Sequence, residues 1–292
     1  MKRLILGLLA SVVLLTGCAA SPAPGDSDGT VPADGAGGSS TDESAAVGLV
    51  NLWRVSDAAG EGADTWLRID GSEIVLWRDC GVSFGSWKSS GDLLVASLSA
   101  TSGEGCLTDF APLDAPWLTA TVGFEANGAT GYSLVDAAGE TVATLAVDGA
   151  PPTSPDLAAF YSEAPEITDE VREQLSSAVV LPAGATVPTP SDLEGKWIAD
   201  VPAVDQPFAE FTADGTVAGA WTGSDGCNGG GGRWVLGDGG TFVASSGPST
   251  LMYCEGAAVP SWVSSASTVG MVGDELVFFD KAGTVLGELQ RA

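Results

Sequence analysis

Residues 223–234, GSDGCNGGGGRW, place a cysteine, an asparagine, an aspartate and an arginine around four consecutive glycines. Several chemistries compete for such a stretch. A phosphate-cradling loop needs a lysine and a hydroxyl residue after its last glycine, to complete what the backbone N–H groups begin. Here Gly232 is followed by Arg233 and Trp234, and no GxGxxG pattern occurs. A cysteine nucleophile needs a base, yet the 292-residue chain contains no histidine. Cys-His and Ser-His-Asp catalysis and histidine-bound zinc are therefore excluded. A four-cysteine zinc site would have to gather Cys80, Cys106, Cys227 and Cys254 with no CxxC knuckle among them. The carboxylates near Asp225 and Asp238, or Asp26 and Asp28, lack the full ligand spacing of a calcium loop. No catalytic residue, metal ligand or cofactor is assigned. What the stretch fits is a covalent corner, where glycine lets backbone turn or strands approach beside a crosslink and Asn228 tolerates the left-handed region. Arg233 and Asp225 read as an exposed ion pair or a turn cap.

The elements that must position this corner come twice. From Val47 onward, Trp53, Trp77, Cys80, Trp87, Cys106 and Trp117 are followed in the same order by Trp197, Trp221, Cys227, Trp234, Cys254 and Trp262. Cys80 to Trp87 and Cys227 to Trp234 are equal steps, and DAAGETVATL (136–145) lies over DKAGTVLGEL (280–289). Such agreement among rare residues marks an internal repeat. Within each copy, WLRIDGSEIVLW (66–77) and FAEFTADGTVAGAW (208–221) read as strand, turn, strand, as do the segments from Tyr132 and Glu275. APWLTATVG and VPSWVSSASTVG each start a short helix after proline. The expected fold class is mainly β: two small antiparallel barrel or sandwich units, each with a short helix. The units span 47–149 and 191–292, and a partly helical connector, 150–190, joins them. In that connector Ser154-Pro155-Asp156 is expected to cap a helix carrying Leu157, Phe160, Tyr161 and Ala164. Thr168 is expected to cap another with Val171, Leu175 and Ala178. Prolines in 181–192 predict a semi-rigid linker.

Lys2 and Arg3 precede an apolar run from Leu4 to Leu15, too short to span a bilayer and laid out as an export signal. Leu15-Thr16-Gly17-Cys18 resembles the lipobox of bacterial lipoproteins. The resemblance implies that residues 1–17 are removed and that Cys18 carries lipid such as palmitate, anchoring the chain to the membrane on its extracytoplasmic face. Residues 18–46, built of Ser, Pro, Gly, Asp and Ala, cannot bury enough surface to order themselves and read as a disordered tether. The net charge of −27 repels nucleic acid. With Cys18 lipidated, four cysteines remain in an oxidising compartment and three pairings are open; the repeat favours Cys80–Cys106 and Cys227–Cys254.

The second unit resembles the META, or HslJ-like, domain. The marks are Leu193, Gly195 and Trp197 as L-x-G-x-W; Gly226, Cys227 and Asn228 as G-C-N; and Thr250, Met252 and Cys254 as T-x-M-x-C. The first unit is a degenerate match: it keeps Leu49, Trp53, Cys80 and Cys106, but Asn51 replaces the early glycine and Gly81 the asparagine. The resemblance implies a small, mostly β fold with no established enzymatic mechanism and a general link to stress or drug tolerance. The expected function is a non-enzymatic envelope lipoprotein that meets an envelope protein or a small ligand. The alternative is a carbohydrate-binding protein or a carboxylate-dependent glycoside hydrolase using the nine tryptophans as stacking surfaces. Tryptophans recurring in register are more often core residues.

Overall fold

The computed structural model describes residues 44–292 apart from 103, 109, 110, 113, 114, 154–156, 178, 179, 248, 251 and 254. The expected leader, Cys18, the tether up to residue 43 with Asp26 and Asp28, the Ser154-Pro155-Asp156 cap, Ala178 and Cys254 thus lie outside the described residues. The end of the expected tether is ordered instead: a 3-10 turn, Ala45–Leu49, leads into the first barrel, and Ala46 is buried in its core.

The fold is mainly β. Strands β1 (Asn51–Ser56), β2 (Trp66–Ile69), β3 (Glu73–Arg78), β4 (Gly81–Ser90) and β5 (Leu93–Ser102) begin the first sheet. A separate two-stranded ladder of β6 (Leu107–Thr108) and β7 (Ala111–Pro112) follows, then helix α1 (Pro116–Ala120). Strands β8 (Gly123–Asn127), β9 (Gly131–Val135) and β10 (Thr141–Ala146) complete a closed antiparallel barrel in the order β1-β10-β9-β8-β5-β4-β3-β2. Beyond the connector, with helices α2 (Asp169–Gln174) and α3 (Pro190–Leu193), the second sheet starts with β11 (Gly195–Ile198), β12 (Phe208–Ala213), β13 (Ala218–Ser224), β14 (Gly229–Leu236) and β15 (Phe242–Ala244). Helix α4 (Val259–Ser265), β16 (Thr268–Val272), β17 (Glu275–Phe279) and β18 (Val285–Arg291) end it. Its order is β15-β14-β13-β12-β11-β18-β17-β16. The terminal strands of that order meet at one bridge, Thr241 with Thr268, where the Phe242 N–H donates to the Ser267 carbonyl at 2.9 Å.

Alternation makes these strands. In β12, Ala209 and Phe211 are buried while Glu210 and Thr212 face solvent, so one side of the strand enters the core. Each barrel interior is filled: Trp53, Leu67, Trp87, Trp117 and Phe124 in the first, Trp197, Phe211, Trp221, Trp234 and Phe278 in the second.

The barrels correspond strand for strand, and the agreement reaches individual atoms. Trp53 Nε1 donates to the Leu49 carbonyl and Trp197 Nε1 to the Leu193 carbonyl, both at 2.8 Å, fixing the first strand of each barrel to the turn before it. Asp136 Oδ1 accepts from the N–H groups of Ala138 and Glu140, and Asp280 Oδ1 from those of Ala282 and Thr284. Gly85 and Gly232 each precede a core tryptophan by two residues. A Cβ there would lie 2.1 Å from the carbonyl oxygen of Ser97 or Ser245, so neither position has room for a side chain.

One tryptophan departs from the expected register. Trp77 stands three residues before its cysteine and Trp221 six, an odd difference that turns the two side chains to opposite faces of the sheet. Trp221 fills the second barrel, whereas Trp77 lies outside the first with Leu52, Trp66, Val75 and Val82. The connector covers that outer patch: Leu157 and Tyr161 pack on it, and Arg68 donates to the Glu163 carbonyl at 3.1 Å. Only a short 3-10 turn, Ala159–Ser162, forms where the first connector helix was expected, with Phe160 half exposed. The Thr168 cap is present, its Oγ1 accepting from the Val171 N–H at 3.2 Å at the start of α2. The expected semi-rigid linker carries its own order: Thr186 bridges Met271, and Thr189 with Asp192 forms a capping box on α3.

The barrels also pack on each other. Val95 and Val122 of the first meet Ala218, Val235 and Val243 of the second, with Leu93 at the margin. These residues point away from their own barrel interiors, so the contact is a third apolar layer shared by the two units.

Candidate functional site

The opening stretch lies at the β13–β14 hairpin, and its asparagine is its organising residue. Asn228 is 7% exposed and engages both ends of its amide. Its Nδ2 donates to Asp225 Oδ2 at 2.9 Å and to the Met252 carbonyl at 2.8 Å. Its Oδ1 accepts from Thr250 Oγ1 and from the Met252 N–H, both at 2.8 Å. Thus the G-C-N and T-x-M segments, 24 residues apart, are joined through one side chain. Asp225 closes the turn from beneath, its Oδ1 accepting from the N–H groups of Cys227 and Asn228 at 2.8 and 2.6 Å. Gly226 turns at φ +103°, where a Cβ would meet the Asp205 carbonyl. The glycines after it yield to neighbours: a Cβ on Gly230 would meet Pro260 at 2.8 Å and one on Gly231 the Trp221 carbonyl at 2.9 Å.

Burial alone would raise the Asp225 pKa, but the hydrogen bonds from Asn228 and Cys227 outweigh it and hold the carboxyl below its ordinary value. A carboxylate depressed in this way adds stability above its unfolded pKa of about 3.9 and loses it as pH falls through the folded value. Asn228→Ala should therefore destabilise the protein at neutral pH by about 1–3 kcal/mol, the cost of stranding several buried groups. That deficit should narrow below about pH 4, because Asp225 then loses its advantage in the parent too. Urea titrations of both proteins across the acid range measure it.

Leu193, Gly195 and Trp197 occupy the entry to the second barrel. Leu193 and Trp197 are fully buried, Gly195 turns at φ +101°, and the Arg291 guanidinium lies 4.1 Å from the Trp197 ring centroid. Arg291 also donates to the Asp192 carbonyl at 2.8 Å and to that of Glu194. Hydrogen bonds from the Thr189 backbone and hydroxyl hold the Asp192 carboxyl below its ordinary pKa. All of these contacts are structural. Met252 is exposed and Tyr253 is 97% exposed, so the loop that Asn228 pins turns two apolar side chains outward.

Of the cysteines, Cys80 and Cys106 form a disulfide across the end of the first barrel. Cys227 is disulfide-bonded, and Cys254 lies outside the described residues. Cys80 and Cys227 hold equivalent places, one in the β3–β4 turn and the other in the β13–β14 turn.

Two groupings escaped the sequence reading. At the mouth of the first barrel, Glu61 pairs with Arg78 through both carboxylate oxygens, at 2.8 and 3.0 Å, and accepts from Trp117 Nε1 at 2.9 Å. Both charged side chains are under a tenth exposed. No spacing signal links residues in a loop, a strand and a helix. The second grouping lies between the barrels, where a cavity of about 380 Å³ is walled by β4, the end of α2, the α4–β16 corner and the β17–β18 turn. Lys88 and Lys281 reach it. The scarcity of lysine was a readable signal, since only Lys88, Lys196 and Lys281 lie outside the expected leader.

Among the described residues, no helix is long and apolar enough to cross a membrane, and no group of three His, Cys, Asp or Glu gathers in metal-binding geometry. Comparison with protein-family models, with curated proteins and with solved structures finds no match to this chain.

Proposed function

We propose that this protein is an extracytoplasmic lipoprotein, anchored through Cys18, whose two META-like β modules act by binding in the envelope and not by catalysis. The observation that carries the non-catalytic part is the use made of the motif residues. Asn228, Thr250, Met252, Gly226, Leu193 and Trp197 hold a turn and a barrel end together, and Asp225, the nearest carboxylate, is bound to backbone N–H groups. With no histidine in the chain, Cys-His and Ser-His-Asp arrangements are ruled out.

Carbohydrate binding has no comparable support. Eight of the nine tryptophans are buried, and the ninth, Trp262, is partly buried and packs over Gly287, so the tryptophans serve mainly as core residues.

The anchoring part is tested by expressing the chain with its own leader in a bacterium fed labelled palmitate. The parent should take up label and sediment with membranes, whereas Cys18→Ala should take up none and appear in the soluble extracytoplasmic fraction. Label retained by Cys18→Ala, or an unlabelled soluble parent, overturns it. The non-catalytic part fails if the purified parent turns over a glycoside substrate.

A further inference from the structure

The cavity between the barrels holds an imbalance of charge. The chain carries 38 acidic and 11 basic residues, yet two of its three lysines beyond the leader meet at this one place. Lys88 lies in β4 with its ammonium turned inward and donates to the Ser264 carbonyl of the other barrel. Lys281, in the β17–β18 turn, donates to the Glu173 carbonyl and, at 3.3 Å, to Ser176 Oγ. Among the described residues neither ammonium has a carboxylate within ion-pair distance; the ion pairs there all belong to Arg54, Arg68 and Arg78. Asp280 borders the cavity, but its Oδ1 accepts from the N–H groups of Ala282 and Thr284.

Withdrawing an ammonium from water without a counter-charge is costly, and a carbonyl compensates only part of it. Desolvation accordingly lowers the Lys88 pKa. An ammonium has three N–H donors, and the Ser264 carbonyl occupies one of those on Lys88. The hydroxyls of Ser90, Ser265 and Ser267 border the same space. The cavity is large enough for a metabolite-sized molecule. Its walls are also tied together: Gln174 Nε2 at the end of α2 donates to the Gly71 carbonyl of the first barrel at 2.9 Å, while Lys281 of the second reaches the same helix.

We propose that this cavity is a binding site for a small hydroxylated anion, whose carboxylate or phosphate oxygens are held between Lys88 and Lys281 and whose hydroxyls meet the serines. The site needs both barrels and the connector, and it goes beyond the envelope-binding reading because it stands whether or not the chain is anchored.

The test is calorimetric titration of the full chain with gluconate and inorganic phosphate, with glucose as the neutral counterpart. At least one anion should bind saturably in the millimolar range or tighter while glucose does not, and Lys88→Met and Lys281→Met should each weaken binding by roughly thirtyfold. Both variants keep the aliphatic stem, and Lys281 is at the surface, so it remains a sound test even if Lys88→Met alters folding; thermal melts establish that each is folded. Absence of binding by both anions, equal binding of glucose, or undiminished binding by folded Lys281→Met would overturn the proposal.

Discussion

Glu61→Ala should lower the stability of the protein by about 3–5 kcal/mol, the largest effect expected of any single substitution. The carboxylate lies at the mouth of the first barrel, nearly sealed from water, and serves three partners at once. It takes both arms of the Arg78 guanidinium and the Trp117 indole N–H. Truncation deprives a buried cation of its bidentate anion and leaves a core indole without an acceptor, and those two penalties add to the loss of contact. Glu61→Gln preserves the shape and one acceptor oxygen, so it should lose less. Chemical denaturation of the three proteins, with unchanged slopes, would show that the native state and not the unfolded chain is affected. Equal stability of the parent and Glu61→Ala would show that the pair contributes no more than an exposed one.

Opening the first barrel's crosslink should come next. Replacing Cys80 and Cys106 together by alanine frees a loop whose ends are 26 residues apart, for which restriction of the unfolded chain predicts a loss of about 3.5 kcal/mol. The deficit should appear in the unfolded ensemble, while the β4–β5 ladder behind the bridge remains intact in the native protein. The thermal midpoint of the double variant, measured beside that of the reduced parent, decides the matter. The parent treated with reductant should fall further still, because Cys227 is disulfide-bonded as well.

The sequence made the strands legible where chemistry is local. Asp136 and Asp280 announced their turns because an aspartate followed at the third position by glycine suits a tight reversal, and the structure closes both by the same bonds. Helices α1 and α4 were equally visible from proline at the start of an apolar stretch. The connector was harder. Leu157 and Tyr161 had been given a helical face, but what orders them is the apolar patch of Trp66, Val75 and Trp77 beneath, which exists only once the barrel has formed. Trp77 itself misled because order along the chain records residue type and not parity; the two hairpins share one register about their cysteines, so Ile74 opposite Gly85 takes the place that Trp221 holds opposite Gly232, and Trp77 falls on the other face.

The candidate sites divide in the same way. Asn228 could be singled out from its motif, but its reach to Thr250 and Met252 depends on the return of the chain past β15. Lys88 and Lys281 come from different barrels, so no spacing could join them. Glu61 looked like one of 38 acidic residues until Arg78 and Trp117 stood over it.

The seam of the second barrel has a consequence for life in a crowded compartment. Its strand β15 offers only three residues to the ladder and touches β16 through a solitary bridge, so its flank would otherwise invite a foreign strand to add on. The first barrel lies against that flank, with Val95 and Val122 over Val243. The second barrel's weak seam is thus covered by the first, and proteolysis between them would uncover a strand edge prone to pairing with another chain.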